Sequence, residues 1–425
     1  MIKKIDFKNN KSAYLVATNY SSKDKYFLIN NKEYKIKSFD RIIYNIDNTN
    51  EDQFIYSSED VDILVKQVID REYYETGTNK KIVSLQFGMF GLNEIRLARK
   101  KNKLLSLWIN LSNVCNLECR YCFNSAGKRL DGELSFNELC NLVTDAYRLG
   151  CKKIVIVGSG EPLLDPNFKN IIEIINLYEM ETVLFTNGIT LNDSMCEFLL
   201  SHNVKICLKY HSINNSISDF LIGRNGSSAK INKALDMLIN HKFHTFNSLS
   251  LANQIFKQNL TSIPLVYRYC RNNNIIPRVS KILFKGKGKT CTDLYPSQEE
   301  VTWLFNELKK IDKEEYGLEW GNFNDNVYAG DQGCQLCYVN LFVDVFGNVQ
   351  PCIGILDTLG NIKDISLKDL WNANCLKHID DNLTGECINC YNHKVYRCYG
   401  CAGRNYLENK SEFNSRTCGN FKRCN

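Results

Sequence analysis

Asn113-Val114-Cys115-Asn116-Leu117-Glu118-Cys119-Arg120-Tyr121-Cys122-Phe123 follows directly on an apolar run from Leu105 to Leu111. That run reads as a buried strand, which puts three cysteines, spaced C-x3-C-x2-C, in one loop at the strand's C-terminal end. Thiolates are soft ligands suited to iron–sulfur clusters or zinc. Three of them in one tight loop can hold three irons of a four-iron cluster and leave the fourth iron without a protein ligand. An open coordination position is a reactive one. Structural zinc asks for a fourth protein ligand nearby, and this loop offers none.

Outward from the loop, apolar runs alternate with amphipathic stretches. A helix around Phe136 to Leu149 comes first, then Ile154 to Val157 with a helix from Asn167 to Tyr178. Val183 to Phe185 precedes a helix near Asp193 to Leu200, and Val204 to Leu208 precedes one from Ile231 to Ile239. Phe246 to Leu251 with Ile263 to Cys270, and Pro277 to Phe284 with Glu299 to Ile311, complete the series. Six strand–helix units with short connections predict right-handed parallel crossovers in an α/β fold. Six are too few for a closed eight-stranded barrel, so the expectation is an open, partial (β/α)6 TIM-like barrel. Its sites lie at the C-terminal ends of the strands.

The flanks differ. Before residue 101 the chain shows short β-rich pieces (Tyr26 to Ile29, Tyr34 to Ile36, Ile42 to Ile46). A helix begun by Ser57 or Ser58 follows, with Val61, Leu64, Val65 and Val68 on one stripe. After Trp320 regular periodicity gives way to loops dense in cysteine, a segment that needs a metal staple. The division expected is a small α+β domain over 1–100, the barrel over 101–320 and a cysteine-rich extension over 321–425.

Composition narrows the function. The chain has 425 residues, 44% hydrophobic and 24% charged, with a net charge of +6. It is too apolar for a disordered protein. The mild basic excess is spread out, which excludes the concentrated stripe of a nucleic-acid binder. No apolar run reaches the ~18 residues of a membrane span, and the N-terminus lacks a secretory signal. Nineteen cysteines in such a chain predict reduced thiols in the cytoplasm and metal binding rather than disulfides.

The later cysteines are also patterned. Nine residues separate Cys337 from Gly347 and four separate Gly347 from Cys352, with Cys334 just upstream. Phe346-Gly347-Asn348-Val349 reads as a hairpin turn. Cys387-x2-Cys390 and Cys398-x2-Cys401 follow, then Cys418 and Cys424. Paired C-x2-C knuckles also suit a zinc ribbon.

The loop triad resembles that of the radical SAM superfamily, which carries it after the first strand of a partial (β/α)6 barrel. The resemblance implies that the methionine part of S-adenosylmethionine (SAM) chelates the free iron. Electron transfer then cleaves the sulfonium bond and gives a 5′-deoxyadenosyl radical. Gly158-Ser159-Gly160-Glu161-Pro162 resembles the family's GGEP segment, and it implies that Glu161 accepts from the SAM ammonium. Thr186-Asn187-Gly188 resembles the family's TNG turn. Lys209, His211 and Ser212 match the position of polar groups near the ribose or carboxylate. Tyr121 matches the aromatic beside the adenine, Phe123 flanks it, and Arg224 is a candidate for the SAM carboxylate.

The C-terminal pattern resembles the SPASM extension, which binds two auxiliary four-iron clusters. Carried across, Cys334, Cys337, Cys352 and Cys401 hold one, and Cys387, Cys390, Cys398 and Cys418 the other, for three [4Fe–4S] clusters in all. The first half agrees with the family's C-x9-G-x4-C. The second half, with gaps of two, seven and two, departs from C-x2-C-x5-C-x3-C and leaves Cys424 as an alternative ligand.

An oxidoreductase or maturase is implied that abstracts a hydrogen atom from its substrate. Members mostly cross-link or oxidise ribosomally made peptides, and residues 1–100 are compatible with adding a leader strand to a sheet edge. The alternative is a dehydrogenase or epimerase of a carbohydrate, aminocyclitol or other small molecule. There Cys291, in the polar loop after the sixth strand, would donate a hydrogen atom. Sulfatase-maturing members carry aspartate where Ile353 stands. A flavodoxin- or ferredoxin-like protein is the implied electron donor, with neither nucleic acid nor membrane as partner.

Overall fold

The computed structural model describes seven strand segments between residues 2 and 82, Phe90, and residues 92–245, 248–283, 285–319 and 338–374. Chain contacts divide it into two units, Met1–Glu75 and Thr76–Asn425.

Among the described residues the first unit shows six strands: β1 Ile2–Asp6, β2 Ser12–Val16, β3 Lys25–Ile29, β4 Lys32–Ile36, β5 Ile43–Asn45 and β6 Gln53–Phe54. They pair in sequence order as an antiparallel meander. Three of these were expected; β1, β2 and β6 are additional. The helix expected from Ser57 or Ser58 lies outside the described residues.

In the second unit β7 Lys81–Ile82 precedes α1 Leu92–Lys100. Then come β8 Ser106–Ile109, α2 Phe136–Arg148, β9 Lys153–Ile156, α3 Phe168–Leu177, β10 Glu181–Thr186, α4 Asp193–Ser201 and β11 Lys205–Lys209. Two helices, α5 Asn215–Ile222 and α6 Ser227–Asn240, lead to β12 Leu249–Gln254, α7 Ile263–Asn272, β13 Ile276–Ser280 and α8 Gln298–Tyr316. The short β14 Leu318–Glu319 pairs with β7. Of the C-terminal region the description covers β15 Asn340–Val343, β16 Asn348–Gln350, β17 Gly360–Asn361 and α9 Leu367–Ala373. Helix starts follow local chemistry: Ser135 with Glu138 and Ser297 with Glu300 form capping boxes on α2 and α8.

The six barrel strands run parallel in the order β13-β12-β11-β10-β9-β8. Pro277 stands in β13, which among the described residues pairs only with β12, so its missing N–H costs no ladder bond there. At the other edge the sheet does not stop as the six units predict. β15 pairs parallel with β8 (Leu341 opposite Leu107), and β16 and β17 extend the sheet antiparallel. Ser106 Oγ donates to Asn340 Oδ1 at 3.0 Å across that seam.

Strand alternation sorts the core into two faces. Leu107, Ile109, Ile154, Ile156, Leu184, Ile206, Leu208 and Leu251 point outward into one large cluster with the apolar stripes of α2, α3 and α6. Trp108, Val155, Val183, Ile276 and Phe342 point the other way and pack together with Val157. Residues from β8 and β13 meet there although those strands are not neighbours, so the sheet curls around a lumen.

Near the strand starts Glu181 is paired with Lys153 at 3.0 Å and with Lys205. Burial works against its charge, but the two ammonium groups outweigh it and hold the carboxyl below the ordinary value of 4.5. A depressed carboxyl gives stability that is present above its unfolded pKa and lost as pH falls through the folded one. Glu181→Gln is therefore expected to cost about 1–3 kcal/mol at pH 7 and to lower part of the acid sensitivity below pH 4.5. Urea unfolding at pH 7 and pH 4 measures both.

Candidate cluster and cofactor site

The cysteine loop leaves β8 and is fixed from every side. Cys115 N–H donates to the Gly127 carbonyl and Gly127 N–H to that of Asn113, both at 2.9 Å. Gly160 N–H and Glu161 N–H, after β9, donate to the carbonyls of Ser112 and Val114 at 2.8 Å. Ser159 Oγ donates to Asn113 Oδ1 at 2.7 Å. From after β10, Asn187 Nδ2 reaches Asn116 Oδ1 at 2.8 Å. Arg224, between α5 and α6, donates to the Asn116 carbonyl at 2.7 Å. After β13, Lys287 N–H donates to the Cys122 carbonyl at 2.9 Å. Gly286 is required there: its φ is +58°, and a Cβ would lie 2.4 Å from the Phe123 carbonyl oxygen.

The motif at β9 is joined to the one at β10. Glu161 is buried, with one carboxylate oxygen accepting from Thr186 Oγ1 at 2.5 Å and the other from Asn187 N–H at 2.7 Å. Its carboxylate thus positions the TNG turn. Pro162 opens a short 3-10 turn behind it. Gly188 has a φ of +72° and closes the turn by donating to Thr186 Oγ1 at 2.9 Å. Ser212 Oγ accepts from Ser262 Oγ at 2.8 Å and from Asn214 N–H at 3.0 Å, which engages it in the turn into α5.

Tyr121 and His211 form a buried pair. The Tyr121 hydroxyl is hydrogen-bonded to His211 Nε2, and Phe256 packs on the Tyr121 ring at 4.7 Å. Gln254 N–H donates to His211 Nδ1 at 3.4 Å, which leaves Nε2 as the protonated nitrogen facing Tyr121. Burial, and next Lys209, push the imidazole down to about 3. A histidine buried neutral costs stability where the unfolded chain takes up the proton, so this contribution is present above pH 6.5 and lost as pH falls toward 3. Denaturation midpoints are expected to fall between pH 6.5 and pH 5, and His211→Gln to flatten that slope.

The three thiols are half-buried. Leu117 N–H bonds the Cys115 sulfur, and Ala126 N–H donates to Cys122 Sγ at 3.3 Å. Burial pushes Cys119 up to about 11 and raises Cys115. Lys209, on β11, faces all three thiols and Glu161; burial opposes its charge, but these groups outweigh it and raise its pKa. Among the described residues no three such ligands converge on a point at single-ion distance, and thiols arrayed around a polynuclear cluster need not. N–H donors on the sulfurs and a cation facing them offset the negative charge of a thiolate-bound cluster. The residues present fit that group.

Cys291 is buried, its Sγ donating to the Gly288 carbonyl at 3.6 Å, in an apolar group with Tyr121, Leu221, Phe256, Ile282 and Leu294. Cys352 is half-buried just past β16, and its sulfur accepts from Gly354 N–H at 3.5 Å. Cys334, Cys337, Cys387, Cys390, Cys398, Cys401, Cys418 and Cys424 lie outside the described residues. Asn113, Asn116 and Gly286 had not been singled out from the sequence; an asparagine two residues before the first cysteine is the signal that was available.

Comparison with known proteins agrees with this geometry. The family model described as the radical SAM superfamily matches residues 109–256, and that of the iron–sulfur cluster-binding SPASM domain matches 334–401. An AdoMet-dependent heme synthase of Methanosarcina barkeri is 25% identical, over 69% of this chain and 89% of its own. The mycofactocin maturase MftC of Mycobacterium tuberculosis is 22% identical, over 70% and 78%. The crystal structure of Streptococcus suis SuiB bound to its precursor peptide SuiA superposes with a TM-score of 0.56 at 18% identity, over 90% and 95% of the two chains.

Proposed function

Because the chain belongs to the radical SAM superfamily and carries its cluster-binding SPASM domain, we propose that its substrate is a ribosomally made peptide, which it cross-links or oxidises. The observation that carries the peptide reading is the match over most of the chain to a named peptide maturase, together with a shared fold with an enzyme solved on its precursor. When bound, the reduced cluster and SAM supply the radical that abstracts a hydrogen atom. This chain's residues do the holding. Cys115, Cys119 and Cys122 ligate, Lys209 balances charge, and Glu161 with Asn187 and Arg224 keeps the loop in register with the strand ends. Tyr121, Phe123, Ser159, Gly160, Pro162, Thr186, Gly188, His211 and Ser212 border the SAM site.

The reading includes three four-iron clusters, the auxiliary pair on Cys334, Cys337, Cys352 and Cys401 and on Cys387, Cys390, Cys398 and Cys418. It takes residues 1–100 as the peptide-recognition domain, 101–320 as the barrel and 321–425 as the auxiliary domain. A cytoplasmic flavodoxin- or ferredoxin-like protein delivers the electron. Among the described residues no helix is long and apolar enough to cross a membrane. The heme synthase relative favours a second reading, a small-molecule substrate, in which Cys291 returns a hydrogen atom.

Deletion of Met1–Glu75 separates the two. On the peptide reading, affinity for the precursor peptide falls by about 100-fold or more, while 5′-deoxyadenosine formation with SAM and dithionite persists. Unchanged affinity turns the assignment to the small molecule. Titration calorimetry and chromatography of the nucleoside give the two readouts.

A further inference from the structure

Asn110 continues β8, its N–H donating to the Val343 carbonyl at 3.1 Å. By alternation Ser106, Trp108 and Asn110 share the face of β8 that lines the lumen. Around Trp108, Val155, Val183, Ile276 and Phe342 pack with it and the Phe185 ring lies 6.1 Å away, while the Arg278 guanidinium stands 5.1 Å over the Phe185 ring and the Lys285 ammonium 5.4 Å over the Phe342 ring. Ser106, at the closed end, is satisfied by Asn340. Toward the mouth, three polar atoms are not. Trp108 Nε1, Asn110 Nδ2 and Asn110 Oδ1 are buried without a hydrogen-bond partner, in residues only 3% and 1% exposed.

Buried polar groups are nearly always paired, and an unmade bond there is costly. These three are two donors and one acceptor, three residues before the cysteine loop begins. A primary carboxamide matches that inventory: its carbonyl has two lone pairs for the two donor nitrogens, and the N–H on the carbonyl's side serves Asn110 Oδ1, whereas the N–H and C=O of a trans peptide bond point opposite ways. A carboxylate leaves Oδ1 without a donor, and an apolar side chain leaves all three atoms unmade. We propose that Trp108 and Asn110 are a receptor for a carboxamide side chain of the substrate inside the lumen. This rests on the peptide reading above and states which group of the peptide enters the barrel.

The test uses reconstituted, SAM-loaded protein labelled with 5-fluorotryptophan. Its four tryptophans give four fluorine resonances, and Trp108→Phe identifies the one that matters. The probes are N-methylacetamide for a peptide bond, acetamide for a carboxamide, and N,N-dimethylacetamide, which has no N–H. The Trp108 resonance is expected to titrate with acetamide at a Kd about fivefold below those for the other two, neither of which has an N–H on the carbonyl's side. Asn110→Leu is expected to raise that Kd about fivefold, one hydrogen bond's worth, with the other three resonances unmoved as the check on folding. Tighter binding of acetamide assigns a glutamine or asparagine side chain, and tighter binding of N-methylacetamide overturns the proposal. Equal binding of all three probes, or a resonance that none of them moves, overturns the proposal. The same sample assayed for 5′-deoxyadenosine tests the family chemistry separately, so the two failures are distinguishable.

Discussion

Cys119→Ala is expected to lower 5′-deoxyadenosine formation by at least about 100-fold. Loss of a group that merely supports a metal ligand commonly costs 10–100-fold, and here the proposed ligand itself goes. Burial already works against the Cys119 thiolate, pushing its pKa up to about 11, so its ionised form depends on the metal. The variant should therefore lose the visible absorbance and iron of one cluster. Cys387→Ala, in the auxiliary set, should leave SAM cleavage partly intact while abolishing product. Wild-type nucleoside yield from the Cys119 variant would sink the assignment of the loop.

The second large effect is expected from Gly160→Ala. A Cβ at residue 160 would lie 1.9 Å from the Val114 carbonyl oxygen and 2.7 Å from the Asn113 carbonyl carbon. Both are backbone atoms, held by the 2.8 Å bonds from Gly160 N–H and Glu161 N–H, so no side chain can turn aside. The strand end must separate from the cysteine loop, at about 3 kcal/mol. The urea midpoint and the iron content should fall together. Gly127→Ala is the control: nothing lies within 4 Å of its Cβ, and the change should stay within about 0.5 kcal/mol.

Much of the barrel was legible because parallel strands covered on both faces are written as unbroken apolar runs. Leu105 to Leu111 and Val204 to Leu208 are of this kind, and the helices between them carry clear stripes. Helix α5 escaped notice because Asn214, Asn215 and Ser216 look like a turn and only eight residues follow its cap. The place of β15 beside β8 left no local trace, since pairing across such a span depends on packing alone. At the site, residue types and order were legible, but hydrogen-bond partners were not. The sequence implies a SAM contact for Glu161, and only the fold shows that its carboxylate also accepts from Thr186 and Asn187. The same holds for Arg224, whose guanidinium bonds the Asn116 carbonyl. Such partners lie on loops that come together only when the strands align.

The seam between Ser106 and Asn340, 234 residues apart, has a consequence for biosynthesis. The ribosome delivers the cysteine loop early and the second neighbour of its parent strand late. Until residue 340 has emerged, β8 exposes a row of unpaired amides beside Leu107 and Ile109, an edge that invites aggregation.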